Sequence, residues 1–439
     1  MKLRTLSIFE FEKFAKEQNY NSYLQTPAYG IMMCENKYDY EIVGMINDKD
    51  EIVASALILF KRITLFTRYG YAPGGFIIDY TNLDLVKEFC NLLKKRYYRK
   101  NFAFIKINPE IIVNYIDIKK KELIPNNPNI IKDLENIGFK KLKDNKYFES
   151  LMPKFNALLN IKEFSINKAD KRTRNKIRKS LNKGFSIEVG SREDIKIIYN
   201  FFKNKKSSPL SHYYKYYNSF SKNNNIDIFL VKINFEKALI ATRKAYEKEL
   251  EINNKLVQKF IDNNTNENLN RKMDSDQKLN TYTNEISDLT KFLNTKTDDY
   301  VAGAIVIKSN NRVSILISGY DKKYKQFCPN YYLHYQIIEY YKDNYEYLDL
   351  NGLTGDFSNE NPYKGLNEFK LGFNPTAYEL IGELDLVINE SMYKNIDMNG
   401  LLLKEFDRSN VNKPAPKIIE PIKKEEPKKI RKSIITITR

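Results

Sequence analysis

The sequence predicts a mixed α/β fold, shading into α+β, built as two similar units with a long helical hairpin inserted in the second. Three observations predict it. Along residues 1–150, stretches of period-two apolar alternation are interleaved with stretches of helical period, the pattern of helices covering a sheet. The same alternation restarts near residue 151. In both parts a helix ends on glycine just before a strand, at Glu135-Asn136-Ile137-Gly138-Phe139 and at Asn182-Lys183-Gly184-Phe185, where Gly serves the left-handed position that closes a helix. Finally, residues 235–295 have a composition unlike the strands on either side of them.

The elements follow in order. Helical spacing covers 7–18 and 27–36, then strand patterns cover 40–46, 52–60 and 76–79. An amphipathic helix is predicted over 84–99, and the β-rich run 102–107 stops at Asn108-Pro109, since proline restricts the residue before it and ends a ladder. The second part reads as a helix over 168–182, a strand over 185–189, helices near 192–204 and 209–221, and a strand over 227–233. Strands at 301–307 and 312–318, a helix near 331–342 and a strand over 345–350 complete it.

In the inserted run, Leu239, Tyr246, Leu250, Val257 and Phe260 precede the polar cluster Asp262-Asn263-Asn264-Thr265-Asn266. Leu269, Met273, Leu279, Tyr282, Ile286 and Leu289 follow it. This roughly heptad spacing predicts two antiparallel helices with a coiled-coil seam. Because the run enters and leaves through adjacent strands, it reads as an insertion. After about residue 408 the chain turns to Pro and Lys; residues 413–439 hold nine Lys/Arg against three acids, the composition of a disordered basic tail.

The 439 residues include 73 Lys and Arg against 55 Asp and Glu, a net charge of +18, which favours a polyanionic partner. Three cysteines, Cys34, Cys90 and Cys328, lie far apart, which excludes a disulfide framework and a zinc-ribbon array and fits a reducing compartment. With only His212 and His334, a His-rich metal centre is excluded, and neither sits in a nucleophile-elbow or H-E-x-x-H context. Both read as structural. No apolar run approaches the length of a membrane span, so a cytoplasmic protein is expected, with at most peripheral contact at the inner membrane face. Charge concentrates in 168–183, with eight basic residues against Asp170 alone. Arg174 and Arg178 share a helical face with Lys171. With no alternating acids to offset it, this helix is expected to meet phosphate. The 235–295 run balances ten basic against ten acidic residues.

Two glycine-rich segments stand out: Tyr69-Gly70-Tyr71-Ala72-Pro73-Gly74-Gly75-Phe76-Ile77-Ile78-Asp79, and Asn351-Gly352-Leu353-Thr354-Gly355-Asp356-Phe357 running on to Tyr363-Lys364-Gly365-Leu366-Asn367-Glu368-Phe369-Lys370-Leu371-Gly372-Phe373. Such segments let backbone approach a ligand or simply turn the chain. Neither is a P-loop or a dinucleotide fingerprint. Together with Ser22-Tyr23-Leu24-Gln25-Thr26-Pro27-Ala28-Tyr29-Gly30, Lys106-Ile107-Asn108-Pro109, the basic run 174–179 and Ile381-Gly382-Glu383-Leu384-Asp385-Leu386-Val387-Ile388, they occur in an order that resembles the Fem family of peptidoglycan cross-bridge aminoacyltransferases. The resemblance covers nearly the whole chain. Three positions depart from it: Gly74 stands where the family carries Arg, Tyr29 where it carries Trp, and Met33 where some members carry a phosphate-contacting Lys.

The resemblance implies two tandem GNAT-like domains, over 1–150 (completed by about 382–408) and 151–381, with the hairpin 235–295 projecting from the second and the tail at 409–439. It implies transfer of an amino acid from aminoacyl-tRNA to the stem-peptide amine of lipid II or a UDP-muropeptide precursor, without a cofactor or metal. It places Phe369 and Lys370 at the reaction centre, with Asp79 as a further catalytic candidate. It places Tyr71, Asp79 and Arg178 in the precursor pocket, Arg178 toward the diphosphate; Arg174 on the basic helix and Gly365 in the second glycine segment are further substrate-binding candidates.

The chemistry is coherent with that reading. An aminoacyl ester is already activated, so the enzyme must supply geometry, a neutral amine and stabilisation of an oxyanion. Lys370 is a cation suited to the oxyanion or the departing ribose oxygen. Asp79 either accepts a proton, poorly at an ordinary carboxyl pKa, or orients Tyr71 or caps a helix. Two other readings stay open on the sequence: a coenzyme A-dependent N-acyltransferase, although no Arg/Gln-x-x-Gly-x-Gly/Ala loop is found, and a non-enzymatic RNA-binding protein.

Overall fold

The computed structural model describes residues 1–398 apart from 19, 21, 144–145, 149–150 and 204–207; the predicted basic tail at 409–439 lies outside the described residues. The strands are β1 (Lys2–Thr5), β2 (Asp39–Ile46), β3 (Ile52–Arg62), β4 (Arg68–Ala72), β5 (Phe102–Ile107), β6 (Ile112–Asp117), β7 (Glu122–Pro125) and β8 (Phe139–Lys141). They continue as β9 (Phe155–Asn160), β10 (Phe185–Gly190), β11 (Ile226–Asn234), β12 (Asp298–Ser309), β13 (Arg312–Tyr320), β14 (Tyr347–Leu353), β15 (Thr376–Leu380) and β16 (Leu384–Val387). The helices are α1 (Ile8–Glu17), α2 (Pro27–Cys34), α3 (Leu83–Tyr98), α4 (Ile130–Ile137), α5 (Lys171–Leu181) and α6 (Ile195–Phe202). After them come α7 (Leu210–Phe220), α8 (Phe235–Asp262), α9 (Asn266–Leu293), α10 (Pro329–Tyr341), α11 (Lys364–Leu371) and α12 (Glu390–Met398).

Among the described residues the strands form two sheets. One has seven strands in the order β1-β2-β3-β4-β5-β16-β8, the other nine in the order β10-β11-β12-β13-β14-β9-β15-β6-β7. Each contains the same device. In the first, antiparallel β2, β3 and β4 are followed by α3 and by β5, which pairs parallel with β4. In the second, β11, β12 and β13 are followed by α10 and by β14, parallel to β13. This duplication is the physical basis of the two-part sequence pattern. The helical hairpin α8–α9 occupies the β11–β12 connection, where the first sheet has only the turn Asn47–Glu51 between β2 and β3.

Three sequence expectations need correction. The predicted strand at 76–79 is a single bridge between Ser55 and Ile77. The strand lies earlier, at β4, and the chain then turns at Gly74 and Gly75, both at positive φ. There a Cβ on Gly75 would stand 2.5 Å from the Pro109 Cβ, so the second glycine is required by packing as well as by φ. Residues 112–125, expected within the first unit, supply β6 and β7 to the nine-stranded sheet.

The hairpin is also more than an appended arm. Its root belongs to the core: Phe235, Ala238 and Leu289 are fully buried, and Phe235 and Phe292 pack on Tyr324. Further out the seam is polar rather than apolar. Glu249 accepts from Ser275 at 2.7 Å, Asn253 donates to Asp276 at 2.7 Å, and Leu250 and Met273 face solvent.

A core shared by the two sheets runs from Phe11, Leu59 and Tyr71 to Ile198, Tyr216 and Phe220. Several of the motif pieces prove to be fasteners within this framework. Gln25 donates to the carbonyls of Leu57 and Pro73 at 3.0 and 2.9 Å and accepts from the Leu57 amide. Lys106, buried on β5, is held 2.7 Å from Asp385 of β16, whose other oxygen accepts from Tyr393. A buried ammonium needs that partner, which accounts for both motif pieces at once.

Candidate active site

β13 and β14 pair for only three residues, ending at Ser314 and Asp349, and then diverge. Where they part, a cleft of about 820 Å³ opens. One wall is Ile315–Tyr320 of β13, the other Leu350, Asn351 and Gly352 of β14, and the floor comes from α10 and α11. Diverging parallel strands leave backbone N–H and C=O groups without ladder partners, a natural place for a ligand's amide groups.

The second glycine segment builds the far side of this cleft. Asn367, buried on α11, accepts from the Thr354 amide at 3.0 Å and donates to the Thr354 hydroxyl at 2.9 Å, and Asn361 donates to the same hydroxyl at 2.7 Å. This clasp fixes α11 against the end of β14. At the other end of α11, the Asp170 amide donates to the Gly372 carbonyl at 2.9 Å, and a Cβ at Gly372 would stand 2.1 Å from the Thr173 hydroxyl. Glycine is required there by close approach, not by φ.

So held, α11 directs Lys370 and Phe369 into the cleft. The half-buried Lys370 ammonium donates to the Gly352 carbonyl at 2.7 Å. Desolvation lowers its pKa to about 8, against the opposing pull of the Asp349 carboxylate. Asp349 accepts from the Asn351 amide at 2.7 Å, and burial raises its pKa. Phe369 packs edge-on against Tyr331, His334 and Phe373, with centroids 4.9, 4.8 and 5.5 Å away. Gly365 also lines the cleft; a Cβ there would meet nothing within 4 Å. Three of the residues singled out from sequence, Gly365, Phe369 and Lys370, therefore come together.

The others lie elsewhere. Tyr71 is buried in the shared core, where desolvation raises its hydroxyl pKa. Asp79 is exposed and accepts from the Thr81 hydroxyl at 2.6 Å and its amide at 2.9 Å. These bonds stabilise the carboxylate and lower its pKa, so Asp79 is a turn cap and a poor base. Arg174 and Arg178 lie on α5 outside the cleft, donating to the Asn167 carbonyl at 3.0 Å and the Asn167 side chain at 3.3 Å.

The expectation that α5 lacks compensating acids is corrected. Lys183 lies 2.6 Å and Lys179 2.5 Å from the two oxygens of buried Glu285 on α9, and Arg172 lies 3.2 Å from Glu368. The acids come from distant sequence, which a reading of α5 alone does not see. Among the described residues, Arg174 and Arg178 keep no carboxylate partner.

The sequence profile of the FemAB family matches residues 6–399. The chain belongs to the FemAB family. It is 25% identical over 362 residues to the lipid II:glycine glycyltransferase of Staphylococcus epidermidis, covering 80% of this chain and 85% of that one. It is 23% identical over 418 residues to the aminoacyltransferase FemA of the same species, covering 90% and 97%. The crystal structure of FemX shares the fold, with a TM-score of 0.70 at 20% identity over 90% of this chain and 100% of that one. The protein is thus an aminoacyltransferase by family. No helix among the described residues is long and apolar enough to cross a membrane.

Two groups beside this FemAB cleft escaped the sequence reading as site residues. His334, 3% exposed, lines the cleft and is held by the Asn330 carbonyl 2.8 Å from Nδ1. Burial and the neighbouring Lys370 charge lower its pKa to about 4, leaving a neutral ring. Asp349 was the more legible of the two: an acid inside the apolar strand Tyr347-Leu348-Asp349-Leu350 calls for a partner.

Proposed function

We propose that this protein moves an amino acid from aminoacyl-tRNA to the stem-peptide amine of a peptidoglycan precursor, lipid II or a bridge intermediate. The observation that carries the reading is Lys370, a desolvated ammonium held at the mouth of two diverging strands beside an aromatic shelf. In this reaction the acceptor nitrogen attacks the ester carbonyl, and the carbonyl π electrons move onto oxygen. The intermediate then collapses, the C–O bond to the ribose breaks, the ribose oxygen takes up a proton, and the nitrogen loses one. The Lys370 ammonium faces the developing oxyanion or the leaving oxygen, where low dielectric strengthens its effect.

A lysine-type acceptor with a pKa near 10.4 is neutral in about one molecule in 2,500 at pH 7. A cleft that desolvates Lys370 lowers an acceptor's ammonium pKa by the same physics. Beyond the carbonyls of Gly352 and Ile315, which accept from Lys370 and from the Asn351 side chain, the parted edges of β13 and β14 offer a peptide acceptor strand-like hydrogen bonds. α5, with Arg174 and Arg178 free of carboxylates among the described residues, supplies a phosphate-binding face for one of the two polyanionic substrates.

The test is to mix the full chain with lipid II and a pool of charged tRNAs and to weigh the product. A mass increase of one or more aminoacyl residues, lost when the tRNA is deacylated, supports the reading. Acyl transfer from coenzyme A thioesters without tRNA would replace it.

A further inference from the structure

The hairpin from β3 to β4 turns through Thr64-Leu65-Phe66-Thr67. It is closed by the Ile63 amide donating to the Thr67 carbonyl at 2.9 Å and the Thr67 amide donating to the Thr64 hydroxyl at 3.0 Å. Tips of this kind normally use Gly, Asn, Asp or Pro, each for a backbone reason. Here the tip holds Leu65 and Phe66, 71% and 76% exposed. Neither buries its side chain against the fold, so packing does not explain them.

The surroundings are basic. Arg62 and Arg68 flank the tip at the ends of β3 and β4. The Arg68 amide donates to the Asn101 carbonyl at 2.9 Å, which brings the end of α3 alongside, with Tyr98 58% exposed and Arg99 exposed next to it. Of the two carboxylates on neighbouring β2, Glu41 is occupied by Arg96 and by Lys100 at 2.9 Å, while Asp39 is exposed at the strand's start. Arg62, Arg68 and Arg99 have no carboxylate partner among the described residues.

We propose that this tip is a membrane-docking wedge: Leu65 and Phe66 enter the acyl boundary of a bilayer while the surrounding arginines meet anionic lipid phosphates. Apolar insertion combined with cationic contact is what stable interfacial binding requires, since neither alone holds a protein firmly. Guanidinium groups suit phosphate geometry. A single-stranded nucleic acid fits less well, because Leu65 offers no face on which a base stacks. The inference goes beyond the transfer reading and does not depend on which group is transferred.

The full chain is floated with vesicles of phosphatidylcholine alone and of phosphatidylcholine mixed with phosphatidylglycerol. Wild type is expected to partition onto the anionic vesicles. The double variant Leu65→Ser, Phe66→Ser is expected to lose at least about tenfold in partitioning, with an unchanged thermal melt because both side chains are exposed. Arg62→Gln is expected to lose about fivefold and to leave a weaker salt dependence. Wild type that does not float with anionic vesicles overturns the proposal, as does a double variant that floats like wild type. A double variant that keeps vesicle binding but loses tRNA binding assigns the tip to nucleic acid and also overturns it.

Discussion

Lys370 and Gly352 meet across the mouth of the β13–β14 divergence, the ammonium donating to the carbonyl at 2.7 Å. That single bond ties α11 to the strand that forms the opposite wall of the cleft. It satisfies one of three ammonium donors and leaves the others for a ligand. The carbonyl it uses belongs to the first of two glycines in Asn351-Gly352-Leu353-Thr354-Gly355, so the glycine segment and the Phe369-Lys370 motif are one structural unit.

His334 sets a pH dependence of stability. Its native pKa of about 4 lies below the ordinary 6.5, so between those values the unfolded chain binds more protons than the native one. Stability therefore falls as pH drops from 6.5 to 4, by about 3 kcal/mol over the whole window. In His334→Asn this contribution vanishes. Comparing urea midpoints of the two proteins at several pH values isolates it from the carboxylates, which titrate in both; equal slopes would contradict the assignment.

Gly365 reads out the cleft rather than the fold. It is exposed, on the first turn of α11, with open space where a Cβ would go. Gly365→Ala is expected to leave the melting temperature unchanged or slightly raised, since alanine favours helix by about 1 kcal/mol. Gly365→Leu is expected to keep the melt but raise KM for one substrate by about tenfold or more, as the side chain fills ligand space. Unchanged steady-state constants for Gly365→Leu would show that no substrate passes this point.

The hairpin separates into a removable arm and a fixed root. Excising 246–281 with a short turn is expected to leave the thermal melt close to wild type, because the seam there is largely polar and local. Removing 235–295 entirely takes Phe235, Ala238 and Leu289 from the core and leaves Lys183 buried without Glu285. Breaking such a pair costs about 3–5 kcal/mol, and the lost core adds to it. Equal melts for the two deletions would contradict this division.

For α5, Arg174→Ala with Arg178→Ala is expected to flatten the salt dependence of binding to tRNA or to the precursor by about two charges' worth. Filter binding against ionic strength, with each polyanion separately, tells which one the helix serves. Wild-type slopes with both would remove α5 from binding.

Much of this was legible in sequence because it depends on local pattern. Helices α1, α2, α3, α5, α6, α7 and α10, the hairpin α8–α9 and strands β2, β3 and β11–β14 follow periodicity, whereas α11, which carries Gly365, Phe369 and Lys370, does not announce itself as a helix, and those residues stand out through the family resemblance. What escaped depends on contacts between distant segments. β6 and β7 join the far sheet through β15, and β16 returns to the first sheet at Leu384 although that sheet's previous strand, β8, ends at Lys141, neither marked by local spacing. Glu285 neutralises α5 from a helix about a hundred positions away. Tyr71 and Asp79 sit in a glycine-rich segment that looks like a ligand loop, yet its glycines answer to Pro109 and to positive φ. His334 looked structural by its aromatic context, and only the fold shows that this context is the wall of the cleft.

The proposed role of Lys370, stabilising charge that develops during aminoacyl transfer, is read most directly by single-turnover transfer with saturating charged tRNA and precursor. Lys370→Ala is expected to slow the chemical step by roughly 10²–10³ while binding of both substrates changes far less. Lys370→Arg should recover only part of the rate, because a planar fork places its charge differently from an ammonium. In the wild type, the contribution of the cation should fade as pH rises through about 8, so the ratio of wild-type to Lys370→Ala rates should shrink there. A Lys370→Ala protein that turns over at the wild-type rate, at neutral pH, would contradict the account.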